Sequence, residues 1–191
     1  MAGWQTLDSR HLFSNPWLGL RQDEVITPAG TPGQYVVVEF KNRAVGVVPL
    51  TADGQLILVR QTRYAIGNVS SLEIPKGGCP QGEAWHDTAS RELAEETGYR
   101  AGSIMPLFEG VHLSNSISNE IGALFVATGL EPGEQSLEES EDIEVEIYPF
   151  DEALSMVLTG QISDAMSVMG ILLLAQRRQQ FSLPASPEQP A

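Results

Sequence analysis

The residues best able to do chemistry in this chain are crowded together. Glu92, Glu95 and Glu96 follow Arg91 directly, with Glu83 shortly upstream. On a helix, Glu92 and Glu96 are one turn apart and Glu92 and Glu95 three residues apart, so all three carboxylates share one flank. Carboxylates that close repel one another, and without cations at least one should hold its proton above the usual range. A divalent cation removes that conflict. Carboxylate oxygens are hard donors suited to Mg²⁺ or Mn²⁺, ions that keep positions open for phosphate oxygens and water. The competing reading is a solvated acidic helix face, with Arg91 paired to a neighbour.

Positioning three carboxylates this way needs a buried stripe beside them. Trp85, Ala89 and Leu93 recur at four-residue spacing and predict a helix from about Glu83 to Thr97, with Gly98 where a C-cap belongs. Before it, Ser71–Ile74 reads as a short strand and residues 75–82 as a loop. Ala44–Leu50 and Gln55–Arg60 read as a hairpin across Ala52-Asp53-Gly54. Strands are expected again at Met105–Gly110, Ile121–Ala127 and Ile143–Tyr148. Asp151 is placed as the cap of a short helix to Leu158, and Ser163 or Asp164 as the cap of a longer one to Gln179. Ahead of all this, apolar pieces at Trp17–Leu20, Glu24–Ile26 and Tyr35–Phe40 read as two or three hairpin-linked strands, too little to bury a core alone. The expected architecture is an α/β/α sandwich with a mixed sheet (residues 44–180), a small N-terminal antiparallel β-domain (1–43) and a disordered tail (181–191) rich in proline.

Bulk chemistry narrows the partners. The chain has 191 residues and a formal net charge of −14, a surface that repels nucleic-acid backbones. Its cations are unevenly placed. None lies between Arg100 and Arg177, whereas Arg60, Arg63, Lys76 and Arg91 fall close together, where an anionic ligand would have to approach. The single cysteine, Cys79, excludes an intrachain disulfide and a cysteine-based zinc site. No signal peptide or membrane-spanning run is evident, so a cytoplasmic protein without membrane association is expected.

The stretch from Gly77 to Tyr99 reads GGCPQGEAWHDTASRELAEETGY. A glycine, five residues, Glu83, seven residues, and then Arg-Glu-Leu-Ala-Glu-Glu-Thr-Gly-Tyr agree with the Nudix signature at each fixed position, Tyr99 standing where an aliphatic is more usual. The chain thus resembles a Nudix hydrolase. The resemblance implies a loop–helix–loop that gathers Mg²⁺ (or Mn²⁺) on Glu92, Glu95 and Glu96 and on the backbone carbonyl of Lys76. Glu83 and Arg91 would orient those carboxylates, and Glu96 and Arg91 would take part in catalysis of diphosphate hydrolysis.

Outside the box, the segments 58–64 (LVRQTRY), 72–78 (LEIPKGG) and 159–165 (TGQISDA) are similar to the ADP-ribose pyrophosphatase branch. That likeness implies a homodimer in which the N-terminal strands exchange contacts, and a nucleotide-sugar substrate. Arg63 would contact its phosphates, with Arg60 also in reach and Glu73 either facing the substrate or bracing the loop. Trp17 either stacks on a base or belongs to the core. The base of the branch comes from a mobile loop before the last strand, which puts Glu139 in that role, with Glu120 or a box glutamate as alternatives. One departure stands out. Asn115 occupies the position where ADP-ribose-selective enzymes often have proline, and this opens the substrate to other sugar nucleotides. Competing functions are a Nudix hydrolase of dinucleotides or nucleoside triphosphates, and a non-catalytic nucleotide-sugar sensor. The intact glutamates speak against the sensor, and the lack of a cysteine-based zinc module speaks against an NADH-cleaving enzyme.

Overall fold

The structure is a computed structural model, described here for residues 3–183. Three strands come first: β1 (Gln5–Ser14), β2 (Leu18–Ile26) and β3 (Pro32–Phe40), forming an antiparallel sheet in the order β1-β2-β3. β1 is exposed along its whole length. Its mixed sequence QTLDSRHLFS carries no apolar run, which is why only the later two strands stood out in the sequence. Asn15 Oδ1 accepts the amides of Trp17 (2.9 Å) and Leu18 (2.8 Å), and this turn holds the Trp17 ring out at 70% exposure. The alternative of a core Trp17 is thereby corrected.

The main body holds two sheets. β4 (Arg43–Pro49) pairs in parallel with β9 (Ile121–Glu131), while β7 (Lys76–Cys79) and β8 (Arg100–His112) flank them antiparallel, in the order β7-β4-β9-β8. A second sheet runs β10 (Ile143–Pro149), β5 (Gln55–Arg63), β6 (Val69–Glu73). Strand alternation sorts the core. Val45, Val47, Ala123 and Phe125 face helix α1 (Trp85–Thr97), meeting the fully buried Ala89 and Leu93. Val48, Leu124 and Val126 point the other way, to α2 (Phe150–Leu158) and α3 (Ala165–Gln176). The sandwich of helices about a mixed sheet is as expected.

Several boundaries differ from the sequence reading. Residues 76–79 are not loop but strand, Lys76 pairing with Gly46 and Cys79 with Arg43. Glycines hid this strand, since they carry no apolar pattern. α2 starts at Phe150 with Pro149 as its N-cap, so Asp151 sits in the first turn rather than capping it. α3 is capped by Asp164, which accepts the Ser167 amide at 2.9 Å, and it ends at Gln176, short of Gln179. The chain is also packed beyond residue 180. Leu183 is 7% exposed and belongs to the main core, so residues 181–183 are not tail; the rest of the expected disordered tail lies outside the described residues. No helix among the described residues is long and apolar enough to cross a membrane.

The N-terminal sheet is tied to the main body by the segment after β8. Val38 N donates to Ile117 O (2.8 Å), Phe40 N to Asn119 Oδ1 (2.7 Å) and Asn119 N to Val38 O (3.3 Å). Residues 117–119 thus act as a further partial edge on β3.

Candidate active site

With Ala89 and Leu93 fixed against the sheet, α1 can turn Glu92 and Glu96 only toward the border of the core. Both are buried, at 7% and 3% exposure. Burial makes their charged forms costly and raises Glu92 to about 7 and Glu96 to about 8. The neighbouring carboxylates Glu95 and Glu141 add to the rise at Glu92, and Glu92 and Glu141 to that at Glu96, while Arg91 opposes it at Glu92. Burial, then, and not the mutual repulsion expected from spacing, is the main cause.

β7 lies directly against this face. The Glu92 carboxyl rests on Gly77 so closely that a Cβ there would stand 2.2 Å from it. Only glycine permits that approach. Lys76 N donates to Glu96 Oε2 at 3.0 Å. Arg91 binds helix to strand: Nη1 donates to Glu92 (2.8 Å) and Glu95 (2.9 Å), Nη2 to the Gly78 carbonyl (3.1 Å), and Nε to Glu83 (3.4 Å).

The box glutamates thus share one face but do not yet share one point. Among the described residues, no three acidic, histidine or cysteine side chains close tightly enough to hold an ion as they stand. Arg91 draws Glu92 and Glu95 to itself, and Glu96 turns to the Lys76 amide. The donor chemistry still fits a hard divalent cation: two buried carboxylates whose protein partners, Arg91 for Glu92 and the Lys76 amide for Glu96, only partly offset the cost of burial, a third with its side chain 40% exposed, and a glycine cradle beneath. A cation there would supply the charge that burial withholds.

Beside the box is a corner of paired charges. Glu73, on β6, is 2% exposed. Burial alone would raise its pKa, but hydrogen bonds and charge from Arg63 and Lys76 hold it at about 2. Arg63 Nε donates to Glu73 Oε1 at 3.0 Å, and Lys76 Nζ pairs with both Glu73 and Asp164, the latter at 3.4 Å. Of the two readings for Glu73, the contacts are those of a brace. It orients two cations from within the protein.

A groove of about 760 Å³ passes this corner, lined by Arg63, Lys76, Gly77 and Glu120 together with Trp17 and Phe40 of the N-terminal segment. Burial raises the pKa of Glu120. Arg60 does not line the groove. Three positions from Arg63 on the same strand, it faces the opposite side and pairs with Glu146 on β10, which Tyr148 also bonds. Asn115 is likewise elsewhere, lining a separate cleft of about 330 Å³ with Trp4, Asp23 and Tyr35.

The loop between β9 and β10 passes the end of α1. Glu139 is exposed there. Glu141, which the sequence reading did not single out, is half-buried, and its charge acts on both Glu92 and Glu96. Its Oε2 also accepts the Glu138 amide at 2.9 Å. In a run of four acids at 138, 139, 141 and 142, no sequence signal separates the one that faces the box.

Comparison with known proteins agrees with this geometry. A model described as NUDIX domain matches residues 40–167, and one described as nucleoside diphosphate sugar hydrolase N-terminal domain matches residues 4–38. A methanol dehydrogenase activator of Bacillus methanolicus and an ADP-ribose pyrophosphatase of Bacillus subtilis (strain 168) are each 31% identical over 172 residues, covering 89% of this chain and 91% of theirs. A GDP-mannose pyrophosphatase of Yersinia pestis (strain Pestoides F) is 28% identical over 170 residues, covering 83% of this chain and 85% of its own. A solved structure described as an ADP compounds hydrolase superposes with a TM-score of 0.82 at 21% identity, covering 93% of this chain and 95% of that one, a likeness of fold. This chain belongs to the NUDIX family and is a pyrophosphatase within it. Members of the family generally depend on a divalent metal.

Proposed function

We propose that this enzyme hydrolyses the diphosphate bond of a nucleoside diphosphate sugar of the ADP-ribose type in the presence of Mg²⁺, releasing a nucleoside monophosphate and a sugar phosphate. The observation that carries the reading is the single groove that joins the box strand and its two braced cations to the exposed Trp17 ring. A diphosphate lying by Lys76 and Arg63 leaves an aromatic wall for the base, and the names of the relatives support the same substrate class.

In this reading Glu92, Glu95, Glu96 and the Lys76 carbonyl hold Mg²⁺, with Mn²⁺ an acceptable substitute. Bound there, the cation neutralises the diphosphate and lowers the barrier to attack by water. Arg91 releases Glu92 and Glu95 for that duty while keeping its bonds to Gly78 and Glu83, and so orients the carboxylates. Arg63, aimed by Glu73, takes the phosphate oxygens. A loop carboxylate accepts the proton of water as it adds to one phosphorus and the bridging oxygen leaves on the other. Glu139 has that role by resemblance; Glu141 shares it by its position facing the box, and Glu120 is the groove's own alternative. Arg60, paired on the far face, drops out of the substrate set.

The N-terminal segment, described from residue 3 to 43, builds the far wall of the groove and, on this reading, a homodimer contact. Trp4, just ahead of the first strand, and Leu7, Leu12 and Phe13 along it are all more than two-fifths exposed, an apolar edge that a second copy would cover. A monomeric mass by light scattering at micromolar concentration would contradict the dimer. For the reaction, the decisive assay is a panel of sugar nucleotides, dinucleotides and nucleoside triphosphates with Mg²⁺, with products read by mass. ADP-ribose or a near relative should be the best substrate, and turnover confined to triphosphates would overturn the reading. GDP-mannose belongs in the panel on a specific ground: a relative is named as a GDP-mannose pyrophosphatase, and Asn115 stands where the ADP-ribose-selective pattern has proline.

A further inference from the structure

The loop that carries the candidate bases is fastened to the metal helix through the backbone of the metal-binding residues themselves. α1 ends at Thr97, so the carbonyls of Glu95 and Glu96 fall in its last turn, beyond the reach of the helix's own amides. Two groups of the loop take them up. Ser136 N donates to Glu95 O at 3.0 Å, and the Gln135 carboxamide Nε2 donates to Glu96 O at 2.7 Å. The approach is close because glycines meet there: a Cβ on Gly98 would stand 2.9 Å from the Gly133 carbonyl, and one on Gly133 would stand 2.7 Å from that of Gly98. On its far side the loop is tied where Ile143 pairs with Gln61 in the second sheet. Only residues 137–142 are left to span the gap, and Glu138 and Glu141 close a turn within them, Glu141 N donating to Glu138 O at 3.0 Å.

We infer that Gln135 is a positioning residue for the hydrolysis, registering the loop acids Glu139 and Glu141 against the carboxylates of α1. This rests on the loop-base reading above. Gln135 does not touch the groove. It acts through the turn behind it, and of the two tethers it is the one made by a side chain, so substitution can remove it while the backbone bond of Ser136 stays. One stretch of backbone, 95–96, then sets both the metal carboxylates and the start of the loop, so that a shift of one carries the other.

The test uses the full chain with ADP-ribose and Mg²⁺. Gln135→Ala should lower kcat about tenfold with little change in KM, as a catalytic group moved by a fraction of an ångström does. Gln135→Glu keeps the length but loses the donor, and should behave alike, which guards against a packing defect in the alanine variant. Hydrogen exchange, read without substrate or metal, should quicken at residues 137–142 and remain unchanged in α1 and β10. Added to the loop-acid variant Glu139→Gln/Glu141→Gln, Gln135→Ala should cause no further loss of kcat. Full kcat with unchanged exchange in Gln135→Ala, or losses that multiply in the triple variant, would overturn the inference. If the loop-acid variant is itself fully active, the loop-base reading fails; if it is slow while Gln135→Ala is not, only the anchor fails.

Discussion

Two acidic regions meet at this site, and they are built in opposite ways. In α1 the carboxylates of Glu92 and Glu96 are buried, fitted against Gly77 and the Lys76 amide, and bound to Arg91 through Glu92. In the loop, Glu139 is exposed and Glu141 is held mainly by its own turn. The same residue type thus has two characters. Burial on a helix raises the cost of charge and creates demand for a cation, whereas a carboxylate on an exposed loop is free to move to a water. A metal site needs the first property and a base the second.

The comparison breaks most sharply at Glu96. If Glu96 is the metal ligand proposed above, Glu96→Gln should cost about a thousandfold in kcat; a variant of full rate would sink the metal assignment. Chelation should abolish activity altogether. Gly77→Ala comes next. A Cβ placed 2.2 Å from the Glu92 carboxyl must push helix and strand apart, and about a hundredfold loss of kcat with weaker Mg²⁺ activation is expected. Wild-type activation by Mg²⁺ in that variant would show that the cradle is not needed. Glu139→Gln and Glu141→Gln should each slow turnover by about ten- to a hundredfold while KM holds, and the larger loss names the base. Equal rates to the parent in both would move the base to Glu120. The smallest effect belongs to the wall of the groove. Trp17→Ala should raise KM about fivefold and leave kcat near its starting value, as loss of a stacking surface does.

How far the sequence reached follows the same division. The Trp85/Ala89/Leu93 stripe and the spacing of the glutamates made α1 legible, because a helix pattern and its chemistry lie in one continuous segment. β7 was hidden because Lys-Gly-Gly-Cys has no alternation to read; its pairing with β4 is decided by partners about thirty residues away. Arg63 was the leading phosphate contact and Arg60 a second candidate beside it, and only the parity of the strand sends one to the groove and the other to Glu146. Asn115 was matched to a selectivity position by alignment of short segments, yet the hydrogen bonding of residues 117–119 to β3 carries that loop toward Trp4 and Tyr35. Glu141 could not be told from its acidic neighbours, since the fold of the turn alone decides which of them lies near enough for its charge to act on Glu92 and Glu96.

Leu183 has a practical bearing on where this chain can be cut. It lies in the core by the hairpin turn at Gly54, and its amide donates to Arg178 O at 2.9 Å, while Arg178 itself stacks on Phe150 and pairs with Asp151. A truncation at residue 180, where the polar composition begins to suggest a dispensable end, would uncover that seat and forfeit about 2 kcal/mol of buried leucine. A fusion or tag joined after Leu183 leaves the seat filled.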